Sequence, residues 1–395
     1  MSIEKKVYIE PVFKLHRGYH CKELIPFPPS GYQFVTAHEN SDRAFHWLSG
    51  KMLSAEILET LSSRIPLFLW KSEVDKFCRS RPSEADLTFS CHHLILREEP
   101  WVLETGRIWD VISYNLKHFW KFKPLLETVF ASDSCKKVLC FTEFSKETCK
   151  RVLDCTGFKE KIDVLPRAVH AKKFIRRNNS NRVRLLFVGS GNLVGEFEYR
   201  GGKEVLEVFQ RLSRSYNNVE LTIRSDIPSH VAGVYSKILG DPRVKVINRI
   251  LSENELKMMY ESSDIFFFPS HYESWQITLE AMSYELPVVS IGLEGVPEFV
   301  EHGKTGFLVE ESRNIPCFQD GLPLPTLSPV VKKAVAKPPD ERLVQDLLEP
   351  LELLIEDKDL RASMGARARY EVEHGRHSIA HRNTKLKQVF DEATS

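Results

Sequence analysis

Short apolar runs alternate with helical stretches along the first half of the chain. Seven of these runs predict strands: Val7–Val12, Gln33–Ala37, Pro66–Trp70, Asp86–Ser90, Pro100–Glu104, Lys137–Phe141 and Lys161–Leu165. Helical stretches lie between several of them, at Ser41–Ser62, Leu116–Phe130 and Ser145–Cys155. Strands that alternate with helices are typical of a parallel sheet with crossover helices, so we predict an α/β domain.

The second half shows the same alternation more clearly. Its predicted strands are Leu185–Val188, Val219–Ile223, Val244–Ile247, Ile265–Phe268 and Pro287–Ser290. One helix has an apolar face at helical spacing, formed by Val205, Leu206, Phe209 and Leu212, and Ser252 with Glu255 predicts a capping box for another. In a doubly wound unit the ligand binds at the carboxyl ends of the strands, here Gly189, Arg224, Asn248, Pro269–Ser270 and Ser290–Ile291.

The segment Lys172–Arg182 is polar, basic and without periodic apolar positions, which predicts a linker between two domains at 1–172 and 173–377. Six prolines between Pro316 and Pro339 predict an irregular excursion. Three helices are predicted after it, over Glu341–Glu356, Leu360–Glu373 and Ser378–Glu392.

Composition narrows the functional class. The chain of 395 residues has 55 Lys and Arg against 54 Asp and Glu, a net charge of +1, which argues against a nucleic-acid binder. Its apolar runs are far shorter than the 20 or so residues of a membrane span, and its N-terminal sequence resembles no secretory leader, so we expect a cytoplasmic protein. None of the eight cysteines forms a C-x-x-C pair, which favours reduced, mostly buried thiols.

A glycine loop follows the first strand of the second half. Gly189-Ser190-Gly191 is a weak dinucleotide fingerprint, because Glu196–Tyr199 separates it from the helix that starts at Gly202–Glu204. Arg200 lies just before that helix, where a guanidinium can bind a phosphate. The alternative is a turn that needs positive φ angles.

The stretch Pro269–Met282 predicts a strand end, a polar loop and a helix. Unpaired amides around Ser274–Ile277 would form an anion site at the helix N-terminus. Glu273 and Glu280 would repel a phosphate but accept hydrogen bonds from sugar hydroxyls, so the pair indicates a nucleotide sugar. The alternative is that both are ordinary helix N-terminal acids.

These motifs together resemble the retaining GT-B glycosyltransferases of the group 1 class, family 4. The resemblance rests on Pro269-Ser270-x-x-Glu273, Leu279-Glu280-Ala281-Met282, Pro287-Val288-Val289, Gly295–Val300 and Gly303-x-x-Gly306-Phe307-Leu308-Val309. It is specific over roughly 183–310 and slight before residue 135. It implies two Rossmann-like doubly wound domains that face a cleft, with a C-terminal helix, 378–395, that crosses back to the N-terminal domain.

The resemblance also implies roles for single residues. Arg200 would bind the diphosphate, Glu280 the nucleotide ribose and Glu273 the donor sugar, with the backbone around Arg249 near the base. The candidate catalytic residues are Glu273, Arg200 and Glu104. The candidate donor-binding residues are Gly189, Ser190, Gly191, Arg200, Lys203, Arg224, Arg249, Ser274, Trp275, Gln276, Ile277 and Glu280.

Three positions depart from the family pattern. Glu273 and Glu280 are seven residues apart, whereas the family usually spaces them by eight. Ser190 stands where a basic residue is common, so Arg224 or Lys203 would have to supply the second cation. Many members have a histidine after a strand of the N-terminal domain, and Trp101–Arg107 offers Glu104 or Thr105 there.

The predicted reaction moves a sugar from a nucleoside-diphosphate sugar to an acceptor hydroxyl with retention, without a metal or cofactor. The acceptor, a sugar, glycan or lipid-linked molecule, stays open. Lysines and aromatic residues in Leu116–Phe130 suit contact with a membrane surface, at the inner face, or a packed helix with a solvated edge. The alternatives are an epimerase or hydrolase of the same fold, a dehydrogenase, and a non-catalytic relative that binds sugar nucleotides.

Overall fold

The chain forms two compact units in a computed structural model. One unit comprises Met1–Arg167 together with Ile379–Ser395, and the other Ala168–Ser378. The residues that the structure describes are 4–10, 23–36, 84–112, 116–174, 181–189, 196–325 and 328–395. The division after Arg167 lies near the predicted boundary at residue 172, and the first three residues of the predicted linker are the only described part of it before Asn181.

Within the described residues, the first unit is built on a parallel sheet of six strands. They are β1 (Lys5–Glu10), β2 (Tyr32–Val35), β3 (Leu87–Cys91), β4 (Trp101–Thr105), β5 (Cys135–Cys140) and β6 (Ile162–Val164), in the spatial order β2-β1-β3-β4-β5-β6. Its helices are α1 (Leu116–Ala131) and α2 (Glu143–Val152), with 3-10 turns at Ile108–Ile112 and Lys159–Lys161. The predictions at Ser41–Ser62 and Pro66–Trp70 fall outside the described residues.

The C-terminal helix, Ile379–Ala393, belongs to this first unit, as the resemblance predicts. Its Phe390 ring lies edge-on to three aromatic rings of the sheet, with centroid distances of 5.2 Å to Tyr32, 6.0 Å to Phe34 and 5.8 Å to Phe89. Parallel strands require cover on both faces, so the helix completes one face of this core.

Helix α1 has one buried face and one exposed face. The buried face is formed by His118, Phe119, Leu126 and Phe130. This agrees with the alternative of a packed helix with a solvated edge. The exposed face carries Trp120, 41% exposed, between Lys117 and Lys121. Membrane contact through this face stays a prediction. Among the described residues no helix is long and apolar enough to cross a bilayer.

The second unit has its own parallel sheet of six strands. They are β7 (Val183–Val188), β8 (Val219–Arg224), β9 (Val244–Ile247), β10 (Ile265–Phe268), β11 (Val288–Ile291) and β12 (Gly306–Val309), in the order β12-β11-β10-β7-β8-β9. The helices are α3 (Glu196–Tyr199), α4 (Gly202–Ser215), α5 (Ser229–Val234), α6 (Ser236–Leu239), α7 (Glu253–Glu261), α8 (Trp275–Ser283), α9 (Val296–Phe299), α10 (Pro329–Val335), α11 (Glu341–Glu356) and α12 (Lys358–Glu373). The predicted capping box of Ser252 and Glu255 is present at α7.

Some local predictions are wrong. The excursion at Pro316–Pro339 is not irregular throughout, because it contains a two-stranded hairpin, β13 (Phe318–Gln319) with β14 (Leu322–Pro323), and α10. A proline at the first position of α10 starts the helix, since its fixed φ suits that position. Helix α2 ends at Val152, before Cys155, and residues 196–199 form a helical turn.

Candidate functional site

The chain order of the second sheet reverses between β10 and β7, which are neighbours in space. Ligands of doubly wound sheets bind at such a reversal, beyond the carboxyl ends of the strands. Gly189 follows β7 there, and a Cβ added to it would lie 2.2 Å from Oγ of Ser225, which follows β8. The glycine is therefore required for the close approach of these two loops. Ser190 and Gly191 fall in the stretch 190–195, outside the described residues.

Arg200 is held in a fixed orientation at this edge. Its Nε and Nη2 donate to Glu196 Oε2 at 2.9 Å and 2.8 Å, one helical turn earlier. The guanidinium carbon lies 5.3 Å from the centre of the Tyr272 ring and 5.9 Å from that of Phe268, the last residue of β10. The side chain is only 16% exposed, so this cation is pre-organised and partly desolvated.

Two glycines bring the start of α4 against β10. Gly201 is the N-cap of α4, with φ of +79°, and a Cβ there would lie 2.0 Å from the carbonyl oxygen of Pro269. A Cβ on Gly202 would lie 2.4 Å from the Phe197 ring. The pair Gly201-Gly202 therefore allows the helix start and Arg200 to approach the end of β10.

The N-terminus of α8 has no side-chain cap. Ser274 is its N-cap residue and makes no side-chain hydrogen bond to the first turn. The Ser274 side chain therefore does not cap the amides of this first turn. The residues that carry them, Trp275, Gln276 and Ile277, are half-buried. The first amides of a helix, at the positive end of its dipole, suit an anion.

The two predicted glutamates flank this N-terminus. Glu273 precedes α8, and its Oε2 accepts a hydrogen bond of 3.0 Å from the amide of Gly295, just before α9. Glu273 therefore also ties the loop after β11 to the loop after β10. Glu280 is half-buried within α8. Their sugar-binding roles stay predictions.

The three other predicted cations differ in position. Lys203 is buried, with Nζ 3.2 Å from Glu198 Oε1 and hydrogen-bonded to the carbonyl of Lys337, so the protein itself already binds the ammonium. Arg224 ends β8, and its Nε is buried without a hydrogen-bond partner in the described part of the chain. Arg249 is exposed and pairs with Glu255 at 2.6 Å. Arg224 is therefore the better candidate for the second cation.

A buried pair at this edge was not predicted. Nε2 of His271 lies 3.1 Å from Oε1 of Glu204, in the first turn of α4, and both side chains are nearly inaccessible. The backbone amide of His271 donates to the carbonyl of Tyr199. The pair therefore joins the loop after β10 to α3 and α4, behind Arg200. In the sequence, this pair is indicated only by a polar residue, His271, at the first variable position of the motif Pro269-Ser270-x-x-Glu273.

Glu104 does not have the position expected of a residue that contacts an acceptor. It lies in β4, is fully buried, and its carboxylate pairs with the guanidinium of Arg167. Burial raises the pKa of the Glu104 carboxyl, whereas Arg382 and the Cys91 thiol lower it. A fully buried carboxyl that already pairs with a buried arginine suits charge compensation in the core, and the catalytic role of Glu104 stays a prediction.

The carboxyl edge of the first sheet carries a histidine that the sequence analysis did not select. His92 directly follows β3 with φ of +60°, an unfavourable angle for a residue with a side chain. Its Nδ1 lies 3.5 Å from Asp110 Oδ2 and 3.4 Å from Thr105 Oγ1. Burial lowers the pKa of His92 to about 4 and raises that of Asp110 to about 6. The pair is therefore a neutral imidazole beside a carboxyl that titrates in mildly acidic solution.

These two shifts predict opposite pH dependences. A lowered histidine pKa destabilises the fold as the pH falls from 6.5 towards 4, and a raised aspartate pKa stabilises it as the pH falls below 6. Relative to the wild type, Asp110→Asn should lose about 1.4 kcal/mol of unfolding free energy for each pH unit between 6 and 4. His92→Gln should gain a similar amount over that range. Urea unfolding at several pH values measures both, and parallel profiles for the two variants would contradict the assignment.

Solved structures share this architecture. HepE from Anabaena, solved in complex with UDP and glucose, matches with a TM-score of 0.59 at 14% identity, over 98% of this chain and 99% of that one. WaaG, a glycosyltransferase involved in lipopolysaccharide biosynthesis, matches with a TM-score of 0.52 at 13% identity, over 91% and 87%. Together with the two parallel six-stranded sheets of the described residues, these likenesses show that the chain has the GT-B fold.

The sequence comparisons concern mainly the second unit. Residues 182–320 match the family model "Glycosyl transferases group 1". An uncharacterized glycosyltransferase of Haemophilus influenzae is 31% identical over 132 residues, 32% of this chain and 36% of that protein. The capsular polysaccharide biosynthesis glycosyltransferase CapM of Staphylococcus aureus is 24% identical over 179 residues, 44% and 38%. The chain thus matches less than two fifths of the length of these relatives.

Residues 182–320 are therefore a group 1 glycosyltransferase domain, as the sequence motifs predict. The motif residues from Gly189 to Val309 all lie within this range.

Proposed function

We propose that the protein transfers a sugar from a nucleoside-diphosphate sugar to an acceptor hydroxyl, with retention of the anomeric configuration. One observation carries the proposal: at the topological reversal of the sheet, a fixed, partly desolvated arginine comes after β7, and the N-terminus of α8 comes after the neighbouring β10. Retention is the stereochemistry that the motif resemblance implies.

The chemistry follows from the charges. Departure of the nucleoside diphosphate leaves an oxocarbenium-like sugar and places negative charge on the leaving group. Arg200 would stabilise that charge, and the amides of Trp275, Gln276 and Ile277 would donate to the same group. Arg224, with its buried Nε, would supply the second cation in place of a basic residue at 190. This scheme uses no metal.

The carboxylates would select the neutral parts of the donor. Glu280 would accept from the ribose hydroxyls, and Glu273 would face the transferred sugar. The hydrogen bond from the Gly295 amide fixes one oxygen of Glu273 in place. Uridine nucleotides are the first donors to test, because HepE was solved with UDP and with UDP-glucose.

A thermal-shift screen with nucleoside diphosphates tests the donor site. At a concentration one hundred times its Kd, a ligand adds about 2.7 kcal/mol to the folded state, and the transition should rise by roughly 5 °C or more. The preferred nucleotide should shift the melt, and its free nucleoside should not. If no nucleoside diphosphate shifts it, the proposed donor site is wrong.

Product analysis separates the alternatives. With acceptors of different classes, NMR of the product should show the anomeric configuration of the donor sugar. Conversion of the donor without acceptor would instead indicate an epimerase or hydrolase, and binding without any turnover a non-catalytic relative. An inverted product would contradict retention while leaving the transferase assignment intact.

A further inference from the structure

Three cysteines of the first unit converge outside the candidate site. Cys140 is the last residue of β5, Cys149 lies in the final turn of α2, which packs on β5, and Cys155 follows the end of that helix. The Cys149 thiol interacts with the thiols of both Cys140 and Cys155. All three are free thiols. Cys149 is thus the central member of a contiguous thiol cluster.

The three thiols differ in access to solvent. Cys140 and Cys149 are buried, whereas Cys155 is half-exposed and its Sγ lies 3.6 Å from the carbonyl oxygen of Leu153. A small oxidant can therefore reach Cys155 first, and Cys149 is the buried thiol in contact with it.

The thiols also differ in acidity. The interaction with Cys149, helped by Lys150, lowers the pKa of Cys155 although burial, Asp154 and Glu127 oppose it. Its contacts with the other two thiols, and burial, raise the pKa of Cys149. The accessible thiol is therefore the better thiolate, and the buried one keeps its proton.

We propose that this cluster is a peroxide-sensitive modification site, in which Cys155 is oxidised first and Cys149 then closes a disulfide with it. The Cys155 thiolate attacks one peroxide oxygen, the O–O bond breaks, and the departing hydroxide takes a proton to leave as water. The sulfur of Cys149 next attacks the sulfenic sulfur of Cys155, the S–O bond breaks, and that hydroxide leaves as water with the Cys149 proton. Two thiols thus give two electrons and reduce one hydrogen peroxide to two waters.

The disulfide would link the last turn of α2 to the segment that follows its C-cap residue, Leu153. It would be reversed by a dithiol through thiol–disulfide exchange. The site lies in the first unit, and the proposal does not depend on the glycosyltransferase assignment.

Peptide mapping of the full chain tests the proposal directly. Trypsin separates the three cysteines, because Lys137, Lys146, Lys150 and Arg151 lie between or beside them. After brief treatment with hydrogen peroxide and alkylation of the remaining thiols, the peptides 147–150 and 152–159 should be joined by a disulfide that dithiothreitol opens. A disulfide of Cys140 with Cys149, or none within the cluster, would overturn the proposal.

Variants separate the two steps. In Cys149→Ser, Cys155 should accumulate as a sulfenic acid that dimedone traps, and in Cys155→Ser the cluster should resist peroxide. Cys317→Ser is the matched control, because Cys317 is also half-exposed and has its Sγ 3.5 Å from the carbonyl of the residue two positions earlier. In the wild-type chain Cys155 should be oxidised severalfold faster than Cys317. Equal rates would overturn the proposal even if the serine variants do not fold.

Discussion

Replacing Arg200 with alanine should reduce sugar transfer by about 10²- to 10³-fold, a loss of roughly 2.7–4 kcal/mol of transition-state stabilisation. The arginine is a fixed cation beside Phe268 at the end of β10, and Glu196 with Tyr272 holds it in place before any ligand arrives. The negative charge of the leaving diphosphate grows in the transition state, so kcat should fall more than affinity for the donor. Steady-state kinetics with the preferred donor measures the split.

Arg211→Ala is the matched control, because Arg211 is an arginine of α4 in the same unit that pairs with one carboxylate, that of Glu341, and has no place in the proposed site. It should retain nearly wild-type turnover, and urea unfolding should show that both variants are folded. Arg200→Lys should recover part of the lost activity, since a lysine supplies charge but no planar, bidentate donor. Full activity of Arg200→Ala would refute the proposed role.

Gly201→Ala should destabilise the second unit more than an ordinary glycine substitution. Its φ of +79° costs an alanine about 1–2 kcal/mol, and its Cβ would lie 2.0 Å from the backbone oxygen of Pro269. A backbone atom cannot rotate away, so the end of β10 or the start of α4 must move, at a further cost of about 1–3 kcal/mol. Urea unfolding measures the sum.

Gly303→Ala isolates the conformational part of that effect. Gly303 has nearly the same φ, +77°, and a Cβ there would meet no atom within 4 Å. Gly303→Ala should therefore lower the free energy of unfolding by only about 1–2 kcal/mol, the cost of the positive φ. The displaced helix start in Gly201→Ala should also weaken nucleotide binding, which Gly303→Ala should leave intact. Equal losses in the two variants would show that the contact with Pro269 is unimportant.

The second unit was largely predictable because its strands are short, apolar and followed at once by unusual residues. Periodicity located β7, β8, β10 and β11, and the motifs located Arg200 and the start of α8. Lys203 shows the limit of that approach. Its ammonium binds the backbone carbonyl of Lys337, which is far along the chain. A pattern of side chains cannot predict which distant backbone carbonyl will accept a hydrogen bond.

The first unit was less predictable for a related reason. Glu104 has the residue type of a catalytic group, but its pairing with Arg167 depends on packing between β4 and the end of the unit. His92 lies in an ordinary polar sequence, Cys91-His92-His93, and only its positive φ and its neighbours Thr105 and Asp110 distinguish it. Burial and long-range contacts decide both cases.

The placement of the C-terminal helix bears on the order in which the chain folds during synthesis. The second unit is one continuous stretch, Ala168–Ser378, and all of it emerges before the helix that carries Phe390. The rings of Tyr32, Phe34 and Phe89 thus remain without this partner until the helix at Ile379–Ala393 has been translated. Of the two units, the one synthesised first is thus completed last, and premature termination near residue 380 would leave its aromatic core uncovered while the second unit is whole.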